Sequence, residues 1–90
     1  VKLVAASLDV VTTFNGLKLT PDVTFDKCPQ LYVLFVPGGD ADGVAAMMTD
    51  DAYQSFLKHQ AKKARWVTSV CTGAFLLASA KLLDGYEATT

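Results

Sequence analysis

The stretch that most constrains the fold runs from Arg65 to Ala80. It opens with the β-formers Trp66, Val67 and Thr68, passes through Ser69, Val70, Cys71, Thr72 and Gly73, and continues into Ala/Leu/Phe-rich sequence that reads as helix. The pattern predicts a strand, a sharp turn and a helix, with Cys71 at the turn. Ser69 and Gly73 stand two residues to either side of it. A nucleophile seated between a strand and a helix requires small residues there, because the backbone doubles back too tightly for larger side chains. The same geometry sets the sulfur at the start of the helix, where unpaired N–H groups and the helix dipole favour an anion. A thiolate is such an anion, and it is the thiolate that attacks electrophiles. The backbone N–H of Thr72 then points at negative charge developing on a substrate. A lone cysteine is more often a small apolar packing residue; the Ser-x-Cys-x-Gly frame at a strand-to-helix junction favours the nucleophile.

A second stretch is organised in the same way. Leu31 to Val36 is a run of six apolar residues, predicting a central parallel strand buried on both faces, and Pro37-Gly38-Gly39 ends it. Two glycines allow the backbone to turn with positive φ and to approach a ligand closely. Ligands of open α/β sheets bind beyond the carboxyl ends of the strands, so this loop and Cys71 are expected on one edge. Gly39 then offers a backbone N–H beside that of Thr72.

Elsewhere, Val1 to Ser7 reads as a buried strand, and Val10–Phe14 and Leu17–Thr20 flank Asn15-Gly16, a strong hairpin signal. Thr24 to Pro29 reads as loop anchored by Phe25, with Cys28 held extended before a proline as a half-buried packing residue. Asp40 or Asp42 caps a short helix through Met48, and Asp50 caps a second. On that second helix Tyr53, Phe56, Leu57, Gln60, Ala61 and Ala64 share a face. His59, the only histidine, falls on the solvated side and is not assigned a catalytic role. Phe75 to Leu83 leaves almost no polar face, predicting a helix buried nearly all round and ended by Asp84-Gly85.

Ninety residues, 51% of them apolar, make at most one domain. A net charge of -1 with mixed signs argues against a nucleic-acid or anionic-membrane surface in this segment. No apolar run is long enough for a transmembrane helix, and no metal-ligand spacing appears. Two cysteines, read as reduced thiols, suit the cytoplasm. The opening Val1-Lys2-Leu3 reads as the inside of a sheet and Tyr86 to Thr90 as the start of an extended segment, so a piece of a longer chain is expected.

Val36-Pro37-Gly38-Gly39, then Val67-Thr68-Ser69-Val70-Cys71-Thr72-Gly73, then Leu82-Leu83-Asp84-Gly85-Tyr86-Glu87-Ala88-Thr89-Thr90, resemble the DJ-1/PfpI superfamily. Within it, the chain is most similar to isonitrile (isocyanide) hydratases, a likeness that extends over Gly16 to Thr20, Phe25, Cys28-Pro29 and Gln60 to Trp66. The resemblance implies a flavodoxin-like α/β sandwich, a parallel sheet between helices, of which residues 1–90 form the N-terminal-to-middle part of a single class I glutamine amidotransferase-like domain. It implies a homodimer acting on a small-molecule substrate without metal or organic cofactor. It also implies an acidic partner of the thiol before Val1 and a His-Trp pair after Thr90, so that residues 1–90 alone would be inactive. The implied reaction adds water to an isocyanide: Cys71 attacks, Thr72 positions the thiolate through its hydroxyl, and the N–H groups of Gly39 and Thr72 line the pocket. Protease-like members carry histidine after the cysteine; Thr72 in that place counts against peptidase and deglycase activity.

Two other readings stay open. AraC-type transcription regulators carry an N-terminal domain of this superfamily with a similar Cys-x-Gly-Ala-Phe-Leu-Leu run, and their pocket senses a ligand. A redox sensor in which Cys71 oxidises to a sulfinate is open to any accessible, reactive thiol.

Overall fold

A computed structural model describes residues 1–89; Thr90, the last residue of the Ala-Thr-Thr run, lies outside the described residues. Strands and helices alternate along the chain. Strand β1 (Val4–Ala5) pairs in parallel with β4 (Val23–Thr24), and β2 (Val11–Thr12) pairs antiparallel with β3 (Lys18–Leu19). Strand β5 (Val33–Val36) pairs in parallel with β6 (Trp66–Ser69). Parallel neighbours need a long crossover, and here helices α1 (Ala41–Met48) and α2 (Asp51–Ala61) supply it. Helix α3 (Gly73–Ser79) follows β6.

Local signals set most of these boundaries. The Asn15-Gly16 hairpin forms as expected: Gly16 takes φ +90° and the Thr13 N–H donates to the Leu17 carbonyl at 2.7 Å. Asp40 rather than Asp42 caps α1, accepting from the Gly43 N–H, and Asp50 caps α2 by accepting from the Tyr53 N–H at 2.9 Å. The first strand is shorter than Val1–Ser7 and only half-buried. The expected loop from Thr24 to Pro29 holds the end of β4 and a 3₁₀ turn over Phe25–Lys27. Phe25 does anchor it, stacking on Phe56 with ring centroids 4.8 Å apart and tilted against Tyr53 at 5.7 Å.

A single core gathers Leu34 and Val36 from β5, Val44 from α1, Phe56 and Leu57 from α2, and Leu76, Leu77 and Ala80 from α3 and its end. All three helices thus contribute to the face of the β5–β6 sheet that carries Leu34 and Val36. The alternate residues of β5, Val33 and Phe35, are 45% and 58% exposed. The expectation of a strand buried on both faces is corrected here. An apolar run reports that a strand is suited to burial; which face is buried depends on where the helices land.

Helix α3 departs from expectation for a related reason. It stops at Ser79, with Leu76 and Leu77 buried and Phe75 47% exposed, so it is covered on one side only. Lys81, not Gly85, takes the left-handed position that ends it, at φ +62°. The Lys81 N–H donates to Ala78 and the Leu82 N–H to Leu77, the paired bonds of a Schellman turn. Beyond the turn, Leu82 and Leu83 pack against the core.

Gln60 secures the opposite end of β5. Its side chain is 2% exposed, its Oε1 accepts from the Leu31 N–H at 2.9 Å and its Nε2 donates to the Pro29 carbonyl at 3.1 Å. Gln60→Leu roughly keeps the volume but strands the Leu31 N–H and leaves the Pro29 carbonyl only the weak Cys28 thiol donor, so a loss of about 1–3 kcal/mol is expected in urea unfolding. A loss below about 0.5 kcal/mol would mean that water replaces the amide without penalty.

Candidate active site

Strands β5 and β6 run in register, Val33 opposite Trp66 and Val36 opposite Ser69. The chain therefore leaves both strands at the same edge, and Pro37-Gly38-Gly39 lies beside the turn that carries Cys71. The Val70 N–H donates to the Val36 carbonyl at 3.1 Å, extending the ladder past Ser69, and the Gly73 N–H closes the turn on Val70 at 3.0 Å. Cys71 sits at the apex with φ +51° and an exposed side chain. A left-handed backbone costs a residue with a Cβ about 1–2 kcal/mol, so surrounding contacts must hold it.

Thr72 provides one of those contacts. It precedes α3 without capping it through its side chain. Its hydroxyl turns instead to the neighbouring loop, accepting from the Gly39 N–H at 3.2 Å and donating to the Gly39 carbonyl at 3.3 Å. The structure thus brings Thr72 and Gly39, both singled out in the sequence, into direct contact one residue from Cys71. In this arrangement the Gly39 N–H is bonded to the Thr72 hydroxyl.

The glycines serve a purpose other than the expected one. Neither Gly38 nor Gly39 has positive φ; among the described glycines only Gly16 and Gly85 do. At Gly38 the requirement is space: a Cβ would stand 2.5 Å from Thr72 Oγ1 and 2.8 Å from the Thr72 nitrogen. At Gly73 a Cβ would run into the Val36 carbonyl oxygen and lie 3.0 Å from the Pro37 carbonyl group. The two loops therefore interlock through bare α-carbons. At Gly39 a Cβ would meet nothing nearer than Val44 at 4.0 Å. The tight fit at Gly38 was not legible in the sequence, where two adjacent glycines look equivalent.

Cys28 and Cys71 form no disulfide. Cys28 is half-buried, burial pushes its thiol pKa up, and the thiol donates to the Pro29 carbonyl at 3.3 Å. It is the less reactive environment for a thiol. A groove of about 470 Å³ runs along α3 between Ala74, Phe75 and Ala78 and the segment from Leu83 to Thr89, and Cys71 does not line it. Among the described residues no group of three or more His, Cys, Asp or Glu side chains is placed to hold a metal ion, and no helix is long and apolar enough to cross a membrane.

Comparison with known proteins places this geometry. The DJ-1/PfpI family model matches residues 1–90. The chain is 49% identical, over its whole length, to isonitrile hydratase from Pseudomonas putida, of which it spans 39%. It is 40% identical over 73 residues to the HTH-type transcriptional regulator GbdR from Pseudomonas aeruginosa, covering 81% of this chain and 19% of the regulator. The crystal structure of a ThiJ/PfpI family protein from Pseudomonas syringae superimposes with a TM-score of 0.89 at 43% identity, covering 94% of this chain and 35% of that one. The alternation of parallel strands and helices is thus the flavodoxin-like α/β arrangement of those proteins, and the chain belongs to the DJ-1/PfpI family.

Proposed function

We propose that the whole protein is an isonitrile hydratase, converting isocyanides to N-substituted formamides, with Cys71 as its nucleophile. The observation that carries this reading is Cys71 itself, an exposed thiol at φ +51° on the β6–α3 turn, in a chain 49% identical throughout to a hydratase. The Cys71 thiolate attacks the electrophilic carbon of R–N≡C and a proton is delivered to that carbon, leaving a thioimidate, Cys71–S–CH=N–R. Water adds to the C=N carbon, the C–S bond breaks, and R–NH–CHO leaves with the thiolate restored. The sum is one isocyanide and one water to one formamide, which needs no oxidant or reductant.

Roles for the neighbours follow from position. The Thr72 N–H, on the residue after the nucleophile, serves in this reading as a donor to developing negative charge. The Thr72 hydroxyl and the Gly39 peptide, bonded to each other, form the wall of the site on the β5 side. The proton shuttle is a carboxyl group, which in this reading belongs to the whole protein outside residues 1–90. A single DJ-1/PfpI domain, a homodimer and a cytoplasmic location complete the proposal, on the strength of the family likeness.

The 40% identity to a transcription regulator over 73 residues supports a second reading. There the same pocket senses a small ligand without turning it over, and the whole protein binds DNA through another domain. Incubating the whole protein with an aryl isocyanide and following formamide by chromatography separates the two. Catalytic formamide production is expected; a folded protein that consumes none and shifts DNA in a ligand-dependent way would establish the regulator instead.

A further inference from the structure

We infer that Gly38 is a positioning residue for Cys71: its bare α-carbon lets the 37–39 loop seat against Thr72, and that seat holds the cysteine in its left-handed conformation. The inference deepens the nucleophile reading of Cys71 and rests on it.

The left-handed backbone at Cys71 is unfavourable for a residue with a side chain, so it persists only where its surroundings fix both ends of the turn. One end is fixed by the β-ladder, through the Val70 N–H to Val36. The other is Thr72, and what meets Thr72 is the 37–39 loop. Two hydrogen bonds tie the Thr72 hydroxyl to the Gly39 peptide, one from its N–H and one to its carbonyl. Those bonds form only if the preceding residue clears the Thr72 backbone. A Cβ on residue 38 would meet three atoms: Thr72 Oγ1 at 2.5 Å, the Thr72 nitrogen at 2.8 Å and the Gly73 nitrogen at 3.1 Å. The first is a hydroxyl that can rotate away, but rotating it breaks the bonds to Gly39. The other two belong to the backbone and move only if the turn moves. Since Gly38 has ordinary φ, conformational freedom does not explain glycine there; space against the elbow does. An added methyl group is relieved only by parting the 37–39 loop from Thr72 and Gly73, which opens the seat and lets Cys71 relax.

The test uses the whole protein and two readouts: kcat and KM for isocyanide hydration, and the rate at which iodoacetamide alkylates Cys71, followed on its own peptide by mass spectrometry. The second readout does not depend on the hydratase reading. Gly38→Ala is expected to lower kcat at least tenfold with KM within about threefold, and to slow Cys71 alkylation severalfold. Thr72→Ala, which breaks the same seat from the other side, is expected to slow alkylation similarly, with recovery in Thr72→Ser. Gln60→Leu loosens the structure at the far end of β5 and is expected to leave the Cys71 alkylation rate within twofold, separating positioning from general destabilisation. If Gly38→Ala does not fold, the comparison is made with Thr72→Ala. Alkylation within twofold of wild type in the folded variant, or an equal slowing in Gln60→Leu, would overturn the inference. A wild type without hydratase activity but with the expected alkylation pattern would sink the proposed reaction and leave the positioning role standing.

Discussion

Cys71→Ala is expected to lower formamide production by the whole protein at least about a thousandfold while leaving its folding intact. The activity half of that statement follows from the chemistry. Without a thiolate no thioimidate forms, and water is a poor nucleophile toward an isocyanide at neutral pH. The stability half follows from the structure. The Cys71 side chain is exposed, and the turn is held by backbone bonds from Val70 to Val36 and from Gly73 to Val70. Alanine carries a Cβ as cysteine does, so the left-handed backbone is no worse for it; a change under about 1 kcal/mol is expected. The check is to measure turnover and thermal unfolding on the same preparation. A variant that keeps more than a tenth of the wild-type rate would rule out covalent catalysis through Cys71, and one that unfolds much earlier would show that the sulfur is a packing residue.

Gly73→Ala carries the largest expected effect on stability. The added methyl group would overlap the Val36 carbonyl oxygen and crowd Pro37, and neither is a side chain that can rotate aside. The same Val36 oxygen accepts the Val70 N–H at 3.1 Å, so pushing it away also breaks the last rung between β5 and β6. Overpacking of this kind costs about 1–3 kcal/mol and stranding a backbone donor about 1–3 more. Alanine is the better helix former by about 1 kcal/mol, which works in the other direction. Overlap wins, and a net loss of about 2–4 kcal/mol is expected, read as a fall in the unfolding midpoint. An unchanged or raised midpoint would mean that α3 starts with more clearance from β5 than the structure shows.

Where a feature depends on a few adjacent residues, the sequence was sufficient. Asn15-Gly16 named the hairpin, Asp50 named the start of α2, and the spacing of Tyr53, Phe56, Leu57 and Gln60 named its inner face, because each is a short-range matter of φ, capping or helical period. Ser69-Val70-Cys71-Thr72-Gly73 named the elbow for the same reason, and the resemblance to DJ-1/PfpI proteins led to the family that the comparisons show. The misreadings concern long-range contacts. Phe35 and Phe75 looked as buried as Leu34 and Leu76, yet they face away from the shared core. Lys81 gave no sign of taking the left-handed position that closes the turn after α3.

By itself, then, the sequence determined the order and type of the main elements, the position of Cys71 on its turn, and the smallness required around it. Those follow from local backbone preferences that act over a turn or two. Only the tertiary structure decided which face of β5 is covered, that Thr72 bonds to Gly39, and that Gly38 and Gly73 are needed for clearance between two loops. The covered face of β5 is set by residues of α1, α2 and α3, and the Thr72–Gly39 bonds and the two clearances join residues more than thirty positions apart. Their distance is set by where two parallel strands end, and the strand ends become neighbours only when the sheet forms.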